Sequence, residues 1–125
     1  MVKPFIYAAA DERYWHIYGK AFLNSARSHG HEAEVVRLEM ADTLEQKIRC
    51  ATERFRLLPN YIRNRGDVLC LDVDAIIQAP IEIDSARYDV GVFIRPDAPD
   101  FHKVKIGDVE VNVCAKALAG IFYCN

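Results

Sequence analysis

The order of apolar and polar positions predicts alternating strands and helices in the first part of the chain. Residues 5–10 are almost wholly apolar and predict a first strand, after which Asp11 can cap a helix. Residues 12–28 predict that helix, and residues 34–38 predict a second strand. We expect the buried face of the helix to consist of Tyr14, Ile17, Tyr18, Ala21 and Phe22. The β-α-β order implies parallel strands and a right-handed crossover.

The middle of the chain predicts a second helix and a short buried strand. Five apolar side chains fall on one helical face at steps of three and four, and they are Leu44, Ile48, Ala51, Phe55 and Leu58. Pro59 should interrupt this helix or start a new turn. Residues 68–71 are all apolar and follow a turn at residues 64–67, which is typical of a fully buried strand.

The last part of the chain predicts mainly strands. Residues 89–94 and 117–123 each fit an apolar strand, and residues 103–113 alternate around a glycine as a hairpin does. Residues 96–99 should form a loop because they begin and end with proline. We therefore expect residues 1–125 to form a single Rossmann-like α/β domain, whose central sheet is mixed, mostly parallel and flanked by helices.

Two acidic side chains follow the buried strand directly. Asp72 and Asp74 are separated by one residue, so they should point to the same side where the chain leaves the strand. Their mutual repulsion is relieved by a divalent cation, and carboxylate oxygens suit Mg²⁺ or Mn²⁺, which commonly also hold substrate phosphates. Open α/β sheets bind ligands at this end of their strands. The pattern predicts a metal and diphosphate site.

Composition narrows the choice of partners and compartment. The length of 125 residues fits one domain, and the formal net charge of −2 gives no reason to expect nucleic acid as a partner. No apolar stretch is long enough to span a bilayer. The four cysteines lack zinc-binding spacing, so we expect reduced thiols and a cytoplasmic protein.

Four segments resemble, in matching order, motifs of GT-A-fold glycosyltransferases of the glycogenin and lipopolysaccharide galactosyltransferase type. Residues 71–81 resemble the DxD region of that family, and residues 7–14 resemble its first nucleotide-binding turn. Residues 54–59 resemble the helix before the DxD strand, and residues 119–125 resemble a later strand beginning near an Ala-Gly pair. The resemblance implies a GT-A-like domain that binds a UDP-sugar and transfers the sugar with the help of Mn²⁺ or Mg²⁺.

The resemblance also implies roles for residues around the metal and the phosphates. Asp72 and Asp74 would bind the metal, with Asp72 also near the ribose, and Val73 would place its backbone near the ribose. Arg54 would reach the phosphates or the sugar, a task that suits its planar, permanently charged head group. Asp74 and Arg54 are the residues for which we expect a catalytic role.

Further residues would surround the base and the sugar. Ala9 and Ala10 would let the backbone approach the uracil, Asp11 would hydrogen-bond the base edge, and Tyr14 would stack on the base. On the sugar side, the resemblance points to Ala119 and Gly120. A purely structural role is also open for three of these positions: Asp11 as a helix cap, Tyr14 in the core, and Arg54 on the helix surface.

The resemblance has a limit at the end of the sequence. Members of the family usually continue past the last strand with a further metal ligand and the acceptor pocket. We therefore expect donor binding, with transfer or slow hydrolysis of the sugar, and no defined acceptor. An uncovered apolar strand at residues 117–123 would also expose a sheet edge, which predicts a homodimer.

Two other functions stay open. The chain could be a non-catalytic nucleotide-sugar-binding remnant or accessory subunit. It could also be a phosphatase of the haloacid dehalogenase type, in which Asp72 would be the nucleophile. The sequence does not specify the sugar, the acceptor or the stereochemical outcome.

Overall fold

Three neighbouring parallel strands form one part of the sheet. The computed structural model describes the backbone of residues 1–94, 101–114 and 117–125, and side chains within 1–92, 103–112 and 121–125. Strand β1 (Phe5–Asp11) pairs with β2 (Ala33–Leu38) on one side and with β3 (Val68–Leu71) on the other. Because all three run in the same direction, the carboxyl ends of β1 and β3 meet at one end of the sheet.

Two further strands complete a five-stranded mixed sheet. Strands β4 (Val90–Ile94), β5 (Phe101–Ile106), β6 (Val109–Cys114) and β7 (Ala117–Cys124) follow in the chain, and the sheet has the order β2-β1-β3-β7-β4. Strand β7 is antiparallel to both of its neighbours, so the other four strands share one direction. Strands β5 and β6 form the expected hairpin. The loop expected at residues 96–99 lies outside the described residues.

Strand β7 is not an edge strand, which corrects the argument for a homodimer. It pairs with β3 on one side and with β4 on the other, so its backbone groups are used within the sheet. The strands at the edges of this sheet are β2 and β4. The physical reason for the predicted homodimer, an uncovered edge at β7, is therefore absent.

The first helical region has the expected length but a different buried face. It consists of α1 (Glu12–Tyr14), a π-helical segment (Trp15–Gly19) and α2 (Lys20–Ser28). Of the predicted face, only Phe22 is buried, because Tyr14, Ile17, Tyr18 and Ala21 are exposed. The side that packs on the sheet carries Trp15, Gly19, Phe22 and Ala26. Gly19 belongs to it because a Cβ there would lie 2.1 Å from the Trp15 ring.

Helix α3 (Leu44–Arg65) is continuous through Pro59, contrary to the expected interruption. Its start is fixed by a capping box, in which Thr43 and Gln46 exchange side-chain and backbone hydrogen bonds. Its second half packs on the sheet, whereas the predicted apolar face is exposed in the first half, where Leu44 is 75% and Ile48 is 57% exposed. Among the described helices, none has the length and apolarity needed to cross a bilayer.

The two faces of the sheet bury two separate groups of side chains. One face of β1 and β3 packs against α2 through Phe22 and Ala26. The other face packs against the second half of α3, where the ring of Tyr7 stacks on that of Tyr61 with centroids 4.4 Å apart. Alternation of side chains along the strands produces this three-layer arrangement. It leaves the carboxyl end of the sheet open between the helices.

Candidate functional site

A cavity of about 560 Å³ lies at the carboxyl ends of β1 and β3, beside the first half of α3. Eight residues that the sequence singled out line this cavity: Ala9, Ala10, Asp11, Tyr14, Arg54, Asp72, Val73 and Asp74. They come from β1, from α1, from α3 and from the turn after β3. The structure therefore brings together residues that are more than sixty positions apart in the sequence.

Asp72 and Asp74 flank a buried valine in the turn after β3. The backbone N–H of Ala75 donates to the carbonyl of Asp72 at 3.0 Å, which closes the turn. Val73 is 6% exposed and belongs to the core, while Asp72 and Asp74 are exposed and line the cavity. Val73 thus anchors the turn in the core beside the cavity. The shared orientation of the two carboxyl groups that their spacing predicted stays a prediction.

Arg54 links the helix to the acidic turn. Its guanidinium forms an ion pair with the carboxylate of Asp72, and the side chain is only 17% exposed. The guanidinium also lies over the ring of Phe55, at 5.1 Å from the centroid. Its Nε is buried and has no hydrogen-bond partner in the described part of the chain. Arg54 is therefore a cavity residue, and the alternative of a solvated surface position is wrong.

Asp11 caps the first helical region. Its Oδ1 accepts a hydrogen bond from the N–H of Tyr14 at 2.9 Å, and its Oδ2 accepts one from the N–H of Ala41 at 3.5 Å. The residue is 6% exposed. The structural role considered from the sequence is thus present, although the residue also lines the cavity. A contact with a base would have to use the remaining acceptor capacity of these oxygens.

Tyr14 and the two alanines line the cavity at the end of β1 and in α1. Tyr14 is 52% exposed, so the alternative of core packing is wrong. Its ring stacks on that of Tyr18 with centroids 6.0 Å apart, which presents an aromatic surface at the mouth of the cavity. Ala9 is half-buried and Ala10 is buried, so the end of β1 contributes small side chains to the cavity wall. This side can accept a flat aromatic group.

Five lining residues were not found from the sequence: Arg13, Ala41, Lys47, Cys50 and Ala51. Arg13 forms an ion pair with Asp42 at 3.2 Å. Burial raises the pKa of the Cys50 thiol, so this group stays protonated at neutral pH. Three of them could have been inferred from the sequence. Lys47, Cys50 and Ala51 precede Arg54 by seven, four and three residues, which places them on the same side of the helix.

The residues present fit a hard divalent cation together with a phosphate ligand. Within the described chain, no group of three or more histidine, cysteine, aspartate or glutamate side chains could hold a metal ion. Two carboxylates, however, are the usual protein contribution to Mg²⁺ or Mn²⁺ sites completed by water and substrate phosphates. In this structure Asp72 is paired with Arg54, so a metal would replace the guanidinium at that carboxylate.

Ala119 and Gly120 cannot be related to the cavity. Both belong to strand β7, and their side-chain positions lie outside those that the structure describes. Their expected place beside the sugar stays a prediction.

Comparisons with protein-family models, with curated proteins and with solved structures found no match for this chain. The fold and the cavity define the chain as a small α/β protein with a mixed five-stranded sheet. Any more specific assignment depends on the residues and geometry described above.

Proposed function

We propose that this chain is a metal-dependent glycosyltransferase domain that binds a UDP-sugar and transfers the sugar or slowly hydrolyses it. The observation that supports the proposal most strongly is the composition of one cavity. It combines the acidic residues Asp72 and Asp74 and the cation Arg54 with Asp11 and the aromatic Tyr14. A nucleoside diphosphate needs this combination, because it carries a flat base at one end and two phosphates at the other.

The side chains would divide the work between binding and charge stabilisation. Tyr14 would stack on the base, while Ala9 and Ala10 leave room for it. Arg54, released from Asp72, would hold the phosphates and stabilise the charge that grows on the leaving diphosphate. Because the guanidinium lies in a largely buried position, its electrostatic effect on a bound phosphate is screened less than at a free surface.

Asp72 and Asp74 would hold the metal ion of this proposed site. When bound, Mn²⁺ or Mg²⁺ would supply Lewis-acid stabilisation of the diphosphate leaving group. The turn at Asp72–Ala75 would keep the two carboxyl groups on the cavity side, since Val73 anchors it in the core. In this proposal Asp74 acts through the metal.

A non-catalytic nucleotide-sugar-binding module is the second candidate. The observation in its favour concerns the carboxylates among the described lining residues, which are Asp11, Asp72 and Asp74. Asp11 already accepts two backbone hydrogen bonds, and the other two would hold the metal. The described part of the cavity therefore offers no spare carboxylate to activate an acceptor.

One pair of measurements tests the proposal and separates the two candidates. Calorimetric titration of UDP in the presence of Mn²⁺ should show metal-dependent binding, and failure to bind would contradict both candidates. Assays of UDP release from several UDP-sugars should then show turnover for a transferase or hydrolase. Binding without turnover on any donor would favour the accessory module. A covalent aspartyl phosphate would instead support the phosphatase alternative.

A further inference from the structure

The wall of the cavity formed by helix α3 carries two cations. Lys47, Cys50, Ala51 and Arg54 all line the cavity, and their spacing of three, four and seven residues places them on one side of the helix. Lys47 and Arg54 are two turns apart, which corresponds to about 10 Å along the helix axis. Both side chains are long enough to converge on one anion between them.

These two cations differ in how they are already neutralised. Arg54 is paired with Asp72, whereas Lys47 forms no ion pair with any residue that the structure describes. The third cation at the cavity, Arg13, is paired with Asp42. Lys47 is therefore the cation of the cavity wall that can meet an incoming anion without first breaking an ion pair.

The position of Lys47 within the helix is also unusual. It is the fourth residue of α3, near the positive end of the helix dipole, where acidic residues are favoured and cations are not. The capping box satisfies the backbone N–H groups of Thr43 and Gln46 without any help from Lys47. Local stability thus gives no reason for a lysine here, and departures from local rules are expected at functional sites.

We infer that Lys47 is a second phosphate-binding residue of the cavity and acts beside Arg54 on the diphosphate of the ligand. This inference rests on the proposed function. The formal charges agree with this inference. Lys47 and Arg54 balance Asp72 and Asp74, and a divalent cation balances the two negative charges of the diphosphate in a UDP-sugar. The uncharged Cys50 thiol and the Ala51 methyl between the two cations add no competing charge.

Binding of inorganic pyrophosphate in metal-free buffer tests Lys47 without any contribution from a metal. Calorimetry should give about tenfold weaker binding for Lys47→Met, the loss expected for one charge-assisted hydrogen bond, and little change for Lys47→Arg. Lys20→Met is the matched control, because Lys20 is an exposed lysine of α2 outside the cavity. It should bind like the wild type. Equal affinity of Lys47→Met and wild type would overturn the inference, as would a wild type that binds no pyrophosphate.

Asp72→Asn should change pyrophosphate affinity in the direction opposite to Lys47→Met. This variant releases Arg54, so metal-free pyrophosphate should bind more tightly, whereas UDP with Mn²⁺ should bind more weakly. If Lys47→Met binds UDP and Mn²⁺ as well as the wild type does, Lys47 is not a ligand residue although the proposed function survives. If pyrophosphate binding depends on Lys47 but UDP with Mn²⁺ does not bind, the proposed function fails and the anion site remains.

Discussion

At the carboxyl end of β1 and β3, the carboxyl groups of Asp72 and Asp74 are exposed at an open cavity, whereas at the amino end of the same sheet His31 and Tyr123 are buried and hydrogen-bonded. Asp72 is 55% exposed in its side chain, and Asp74 is also exposed. At the other end, His31 is 4% exposed, with Nδ1 3.2 Å from the carbonyl of Pro4 and Nε2 accepting from the N–H of Ile81 at 3.0 Å. Tyr123 donates to Asp67 at 2.6 Å.

This difference implies that the exposed side chains at the cavity serve binding, whereas the buried polar side chains serve stability. Buried polar groups with complete hydrogen bonds join loops to strands, and removing one leaves its partners unsatisfied in the interior. Exposed charges at a cavity contribute little to stability, because water can replace their partners. Substitutions at the carboxyl end should therefore change ligand affinity, and substitutions at the amino end should change the free energy of unfolding.

Asp74→Asn should abolish metal-dependent nucleotide binding while leaving the fold unchanged. Loss of a metal ligand should weaken UDP binding with Mn²⁺ by about 100-fold or more, since even indirect metal partners are worth 10–100-fold. The exposed side chain of Asp74 makes the variant tolerable for the fold. Calorimetry gives the affinity, and thermal denaturation gives the stability.

Asp84→Asn is the matched control for this measurement. Asp84 follows the acidic turn by ten residues, and it is not among the residues that line the cavity. Its variant should bind UDP and Mn²⁺ with unchanged affinity. Wild-type affinity in the Asp74→Asn variant would contradict the assignment of this carboxylate to the metal.

His31→Phe should show the opposite pattern. The substitution leaves the carbonyl of Pro4 and the N–H of Ile81 without partners, so unfolding free energy should fall by about 2–4 kcal/mol. UDP affinity measured below the unfolding transition should stay unchanged. His16→Phe, at a largely exposed histidine, should change stability by less than about 0.5 kcal/mol. Equal stabilities in urea denaturation would refute the structural role of His31.

The sequence was most informative where one residue decides the local structure. The wholly apolar run before Asp72 predicted the position of β3, and the two acids that follow it both line the cavity. Sequence reasoning failed where a contact depends on a residue without a side chain. Gly19 forms part of the packed helix face by admitting the Trp15 ring, so a search for apolar periodicity selected Tyr14 and its neighbours instead.

The remaining errors arise from tertiary contacts that local patterns do not contain. Strand β7 is last in sequence but lies inside the sheet, because it inserts between β3 and β4. Lys47 and Arg13 line the cavity only because α3 and α1 meet the same end of the sheet. The apolar face of α3 extends beyond the sheet, so Leu44 and Ile48 remain exposed although their spacing predicted burial.

Tyr123→Phe should reduce the loss of stability at high pH. Burial, together with the hydrogen bond to Asp67, raises the pKa of Tyr123 to about 12, above the usual value of about 10. The folded state therefore favours the neutral hydroxyl of Tyr123. The contribution of this hydroxyl to the free energy of unfolding is complete below pH 10 and is lost as the pH rises towards about 12. Between pH 8 and pH 11, the free energy of unfolding measured in urea should fall by up to about 1 kcal/mol more in the wild type than in the variant. An identical loss in both proteins would refute the assignment.

Tyr7→Phe should produce a small effect on both measurements, because Tyr7 connects the interior to the cavity. Its hydroxyl donates to the main-chain carbonyl of Arg54 at 2.6 Å, so it holds the helix turn that carries the guanidinium. The substitution should lower unfolding free energy by about 1 kcal/mol and weaken UDP binding with Mn²⁺ by about twofold to threefold. Tyr61→Phe is the matched control, since Tyr61 stacks on Tyr7 but lies outside the residues lining the cavity. Tyr61→Phe should lower the free energy of unfolding without changing the affinity for UDP. If Tyr7→Phe and Tyr61→Phe weaken UDP binding equally, the cause is a general loosening of α3. The hydrogen bond from Tyr7 to Arg54 then has no specific role in binding.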